Sequence, residues 1–213
     1  MEFEYALGDN LITNIYFSYT DDDFEQVTLL DAETTIQQII PKNFIINRTI
    51  GLNQTVIVSP TDWWDINASA DVYYSNTTAK IPQTLQFLSG WSAEFDVSCD
   101  LILNKRKTVF ATLNYLYITR GVDNLDVNSS AGQLNSSIKW LSLNKKMIVS
   151  LYFNDILRSN LITYTTFSNN IKNSFRNYYD ERFFRIGLVY NFGKKLNTEN
   201  RDGKNQEDQD RVN

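Results

Sequence analysis

The chain has 213 residues, a net charge of −5, no histidine and a single cysteine, Cys99. This excludes a Cys/His zinc site, an intramolecular disulfide and any histidine-dependent nucleophilic centre, and without a basic stripe nucleic acid is not an expected partner. Aromatics make up 14%, and Asn, Thr, Ser, Ile and Tyr are abundant, a mixture that favours strands and turns over helices.

The first stretch, EFEYALG, alternates Phe3, Tyr5 and Leu7 with polar neighbours. It ends at a tight turn, Gly8-Asp9-Asn10. DWWDINASADVYYSN puts Trp64, Ile66, Ala68, Ala70, Val72 and Tyr74 on one face. Asp65, Asn67, Ser69 and Asp71 take the other, with Trp63 and Tyr73 at its two ends. WSAEFDVSCDLIL alternates Trp91, Ala93, Phe95, Val97, Cys99, Leu101 and Leu103 with Ser92, Glu94, Asp96, Ser98 and Asp100. VFATLNYLY gives Val109, Ala111, Leu113, Tyr115 and Tyr117. KMIVSLYFN gives Met147, Val149, Leu151 and Phe153. RFFRIGLVYNF gives Phe184, Ile186, Leu188, Tyr190 and Phe192, with Arg185, Gly187 and Asn191 opposite. The period is two, and that is the period of a strand with two unlike faces.

The connections alternate in length. Tight turns are expected at Gly8–Asn10, Ser59–Thr61, Asn104–Arg106 and Leu143–Lys145. Longer polar loops are expected around Asp21–Asn43, Asn76–Pro82, Gly121–Ser130 and Asp155–Asp180. Short turns at one end and long loops at the other describe an antiparallel up-and-down meander. About nine strands follow from this spacing. Closed bacterial barrels take an even number, so an odd count suits one part of a larger barrel. The polar, mixed-charge residues 194–213 are expected to form a disordered tail, leaving 1–193 as the strand region.

A soluble β-sandwich also has two-faced strands. Three features favour a transmembrane barrel. Sandwich strands run about 5–6 residues, whereas Trp64 to Tyr74 spans roughly 33 Å at about 3.3 Å per residue. Tilted, that length matches a lipid-facing band about 25 Å tall. Aromatics sit where interfacial girdles belong: Trp64, Tyr74, Trp91, Tyr190 and Phe192. The apolar faces also include Ala68, Ala70, Ala93, Ala111 and Cys99, small residues that a lipid surface accepts without a packing partner. Asp65, Asp71, Glu94, Asp96, Asp100 and Arg185, with Lys139, would then line a wet lumen.

At the C-terminal end the pattern becomes more specific. KKMIVSLYFNDIL, followed by NYYDERFFRIGLVYNFGKK, resembles the end of TonB-dependent outer-membrane receptors of the Bacteroidota type. Its marks are Asn154, Asp155 and Ile156, then Tyr178, Asp180 and Arg182, then Tyr190, Phe192, Gly193 and Lys194; Leu157 stands where the family usually has Phe. EYALGDNLITNIYFSY and IGLNQTVIVSPTDWWDINASADVYY also resemble mid-barrel hairpins of that family. The resemblance implies a barrel of about 22 strands around a plug, with this chain supplying the last nine or so. It implies binding and uptake of a small solute such as a siderophore, cobalamin or glycan, energised through a TonB-contacting region N-terminal to these strands. It places the chain in the Gram-negative cell outer membrane with its tail in the periplasm. Tyr190 and Phe192 become candidates for the signal read by the barrel-assembly machinery.

The alternatives are a secreted or periplasmic sandwich that binds a ligand, and a small independent pore or adhesin barrel. No catalytic residue, metal ligand or cofactor site is expected. MEFEYALGDN lacks the basic start and apolar core of a signal peptide, which taken alone reads as cytoplasmic and fits equally a chain that continues upstream. The Asn-x-Ser/Thr triplets at Asn47, Asn53, Asn67, Asn76, Asn128 and Asn135 read as chance in an Asn-rich chain. Asp21, Asp22, Asp23 and Glu25 read as a solvated acidic loop before a Ca²⁺ site.

Overall fold

The computed structural model describes residues 1–30, 36–168, 171–178 and 180–192. Among these the regular elements are all strands: β1 (Glu2–Leu7), β2 (Leu11–Leu30), β3 (Gln37–Thr61), β4 (Trp64–Ala79), β5 (Phe87–Ile102), β6 (Val109–Ile118), β7 (Gly121–Asp123), β8 (Asp126–Asn128), β9 (Ala131–Ser142), β10 (Met147–Asn154), β11 (Leu161–Ser168), β12 (Ile171–Tyr178) and β13 (Phe183–Tyr190). Nine of them make one antiparallel sheet in the order β1-β2-β3-β4-β5-β6-β9-β10-β13. This is a meander, as the alternating connection lengths require. The sheet is open, with β1 and β13 as its edges.

The register carries each strand's alternation across the whole sheet. Trp64 lies opposite Leu101, Leu101 opposite Ala111, Ala111 opposite Ile138, Ile138 opposite Leu151, and Leu151 opposite Ile186. Side chains have a strict period of two, so a one-residue slip would move a strand's whole apolar set to the other face. The apolar rows instead coincide from β1 to β13.

Short connections gather at one end of this sheet. Gly8 at the first takes φ +61, a left-handed conformation that glycine adopts without cost. At the second, β3 continues to Thr61, so the turn is Asp62–Trp63 and not Ser59–Thr61. The displaced turn stacks Trp63 on Trp64, with ring centroids 6.2 Å apart.

The long connections at the other end are more ordered than a loop reading expects. β2 and β3 stay paired as far as Leu30 and Gln37, well into the segment read as a polar loop. Their register passes from Asp23 opposite Ile45 to Phe24 opposite Asn43, leaving Phe44 as the extra residue of a bulge. A bulge re-aims side chains, and Phe44 and Ile45 are both buried as a result. They pack with Val27, Ala79 and Leu125, edged by Ile40, Ile81 and Leu88. Burying each large member contributes about 1.5–3 kcal/mol.

The last two long connections, Gly121–Ser130 and Asp155–Asp180, read from sequence as loops, contain four strands that form a second sheet, β12-β11-β8-β7. β8 from one connection pairs with β11 from the other, Thr165 opposite Val127. Among the described residues the apolar face stays exposed at Leu52, Phe95 and Leu188, so the second sheet does not close a sandwich over it. The C-terminal residues 194–213, read as a disordered tail, lie outside the described residues, as do Gly193 and Lys194 of the family-like ending.

Candidate functional site

The polar face of the nine-stranded sheet concentrates acidic groups on two neighbouring strands. β4 and β5 set Asp65 directly opposite Asp100, Asp71 opposite Glu94, and Ser69 opposite Asp96. Like charges facing each other across a ladder are destabilising, and here it happens twice. Hydroxyls soften the arrangement. The Ser59 hydroxyl donates to Asp65 at 2.5 Å, Thr112 to Asp100 at 2.6 Å, and Tyr16 to both oxygens of Asp71 at 3.2 Å. Among the described residues none of the five carboxylates forms an ion pair; the pairs found are those of Lys80 with Asp21 and Asp22.

Arg185 shares this face but not this neighbourhood. The row from Asp100 runs through Thr112, Ser137 and Tyr152 before reaching Arg185. Four strand spacings place it roughly 19 Å from Asp100. Its guanidinium lies over the Phe183 ring, 5.1 Å from the centroid. The structure therefore groups the acidic residues singled out from sequence and leaves Arg185 apart.

The aromatics singled out from sequence occupy the apolar face at two levels. Tyr74 and Trp91 are ladder partners near the long-loop end, with ring centroids 5.4 Å apart. Trp64 sits at the short-turn end, where Tyr190 and Phe192 meet edge to face at 4.7 Å. Trp91 is 65% exposed and Phe192 88%. Two further aromatics belong to these levels and escaped the sequence reading, Tyr19, which carries Arg48 over its ring at 5.6 Å, and Trp140; Trp63, read from sequence as an end of the polar face, stacks instead beside Trp64 at the short-turn level. Between the levels Ile15, Leu52, Phe95, Leu113 and Ile138 are all exposed.

At the long-loop end the β7–β8 hairpin folds over the polar face. The Val122 N–H donates to Ser92 Oγ at 3.0 Å. Gly121 and Gly90 permit the approach: a Cβ on Gly121 would fall 2.2 Å from Ser92 Oγ, and one on Gly90 2.8 Å from Val122 Cγ2. At the hairpin tip Asn124, with φ +51, bridges inward-facing groups. Its Oδ1 accepts from Asn47 Nδ2 and its Nδ2 donates to Glu25 Oε2, both at 3.1 Å. Asn47 Oδ1 in turn accepts from Ser75 at 3.3 Å. The Asp126 carboxyl, on β8, is raised above its ordinary pKa by burial and by the nearby Glu25 and Asp123 charges, against a lowering hydrogen bond from Thr166. Sequence offered no signal for this contact, because Asn47 and Asn124 are distant and neither pattern nor spacing links them.

Two of the family-like stretches meet at the rim. Asn154 Nδ2 donates to the Glu181 carbonyl at 2.8 Å. Asp155 is fully buried; its N–H donates to Asn135 Oδ1 at 2.9 Å and its Oδ1 accepts from the Ser159 N–H at 3.1 Å. The Arg158 guanidinium stands over Tyr178 at 5.4 Å. Asp155 and Arg158 belong to the turn that follows β10. The acidic run at 21–23, weighed as a Ca²⁺ loop, is engaged by Lys80. That contact lowers the Asp21 pKa and raises that of Lys80.

An open meander of long strands, wet and acidic on one face and apolar and uncovered on the other, is the wall of a transmembrane β-barrel. A family model described as the outer membrane protein beta-barrel family matches residues 1–190. The chain belongs to that family. Neither a curated protein nor a solved structure matches it.

Proposed function

We propose that this chain is the C-terminal part of a TonB-dependent receptor-like transporter, which binds a small solute outside the cell and admits it without catalysis. The observation that carries the reading is the double character of the nine-stranded sheet. Its apolar face is exposed on most strands and half-buried on β4, and finds its solvent in outer-membrane lipid. Its polar face carries unpaired carboxylates, which are tolerable only against water or a passing cation. The open edges support an arc of a larger barrel, since an exposed apolar edge strand demands a partner. Family-like sequence at Asn154–Ile156 and at Tyr178, Asp180 and Arg182 supports the receptor over a small independent pore.

In this reading the long-loop end is outside the cell and the short turns are periplasmic, as is the tail after Phe192. Tyr190 and Phe192 are offered to the barrel-assembly machinery, and TonB engages a region N-terminal to these strands. The test is uptake in cells: the full gene product should import its solute only while TonB is present. Uptake that survives loss of TonB would favour a passive pore.

A further inference from the structure

We propose that the outer cleft between the β2–β3 extension and the second sheet binds a cationic solute with an apolar body, such as an ammonium or guanidinium group carried on a ring. The cleft has a volume of about 340 Å³, at the small end of the range for ligand sites. Glu25, Asp126, Thr166, Asn173, Phe167 and Phe175 are among its lining residues, and no lysine or arginine is. The site deepens the solute-binding reading above and rests on it.

The chemistry of the lining selects the ligand. Glu25 comes from β2 and Asp126 from β8, so two carboxylates reach one cleft from separate elements. Each is held in place: Glu25 accepts from Asn124 and from the Gln26 N–H, and Asp126 accepts from the Thr166 hydroxyl. Fixed like charges in a partly dry cleft repel an anion and attract a cation. Phe175 is 57% exposed, and its ring is backed by Tyr164, with centroids 5.2 Å apart. A ring supported on one side and open on the other offers a face to a cation or to an apolar body. Asn173 lies opposite Thr166 on the same face of the β11–β12 pair and adds polar groups for orientation. A bare metal ion fits less well, because the described residues hold no group of three acidic or thiol ligands arranged for one.

The test uses the full gene product folded in detergent, with three probes of one shape read by ligand-observed NMR: phenethylammonium, phenylethanol and phenylacetate. Phenethylammonium should bind at least about ten-fold more tightly than the other two. Asp126→Asn and Glu25→Gln should each weaken it about ten-fold. Phe175→Ala should weaken it about two- to thirty-fold, the span of a cation–π contact. Equal binding of the three probes overturns the assignment, and so does undiminished phenethylammonium binding in the Asp126→Asn/Glu25→Gln double variant. Liposome insertion of the same preparations reports on the barrel alone, so loss of probe selectivity with insertion intact counts against the cleft and not the wall.

Discussion

The wall and the outer end of this protein solve the same problem in opposite ways. In the wall, Phe17, Leu52, Phe95 and Leu188 are exposed although they are large and apolar. At the outer end Val27, Phe44, Ile45 and Leu125 are almost completely buried. One chain thus uses two apolar environments, its own side chains at the outer end and lipid along the wall. The difference shows in residue choice. The outer core needs shapes that fit, supplied by a bulge at Phe44 and by the hairpin that delivers Leu125. The wall needs only alternation, and so it accepts Ala68, Ala70 and Ala93 beside Trp and Tyr.

The largest expected effect removes the centre of the outer core. Phe44→Ala should destabilise the outer end by about 3–5 kcal/mol. Proteolysis should then reach the β2–β3 extension and the β7–β8 hairpin while the wall strands stay protected; equal loss in both regions would merge what is separated here. The wall has its own counterpart. Ala70→Arg should cost about 2–4 kcal/mol near the bilayer midplane, whereas Ser69→Arg, one residue away on the polar face, should be tolerated. Urea unfolding from liposomes measures both, and matched losses would dissolve the distinction between faces.

Smaller effects sharpen the contrast. Asn124→Ala leaves Asn47 and Glu25 without their shared partner and should cost about 1–3 kcal/mol, read as faster amide exchange in β7 and β8. Ala79→Leu overfills the outer core and should cost about 1–3 kcal/mol, while Ala93→Leu on the wall should change unfolding little. Asp126 sets the sign of the pH response. Its folded pKa lies above the unfolded value, so its charged form costs stability at neutral pH. That cost is relieved as pH falls through the raised folded pKa towards the ordinary carboxylate value near 3.9. The outer sheet should therefore tighten on acidification, and Asp126→Asn should remove that component of the response.

The wall was legible in the sequence because its environment writes itself into every strand. Each second residue must suit lipid, so Trp64 to Tyr74 or Phe184 to Phe192 can be read in isolation. The acidic cluster was legible only by composition, since the pairing of Asp65 with Asp100 needs the register. The outer end was not legible. β7 and β8 are three residues each, too short to show a period, and Val27, Phe44 and Ile45 lie in a stretch whose polar neighbours resemble a loop. Their burial depends on Asn124 and Leu125 arriving from a distant connection. Trp63 was misassigned for a local reason: a turn two residues later than expected moves it beside Trp64.

The face assignment of β4 is the point on which the rest depends. Single nitroxide labels placed in turn from residue 65 to residue 73, in a Cys99→Ala background reconstituted in liposomes, measure it by collision with oxygen and with a water-soluble nickel complex. Oxygen access should peak at 66, 68, 70 and 72, and nickel access at 67, 69 and 71, with a clean period of two. Uniform access along the strand, or the opposite phase, would contradict a wall that faces lipid with Trp64 to Tyr74 and water with Asp65 and Asp71.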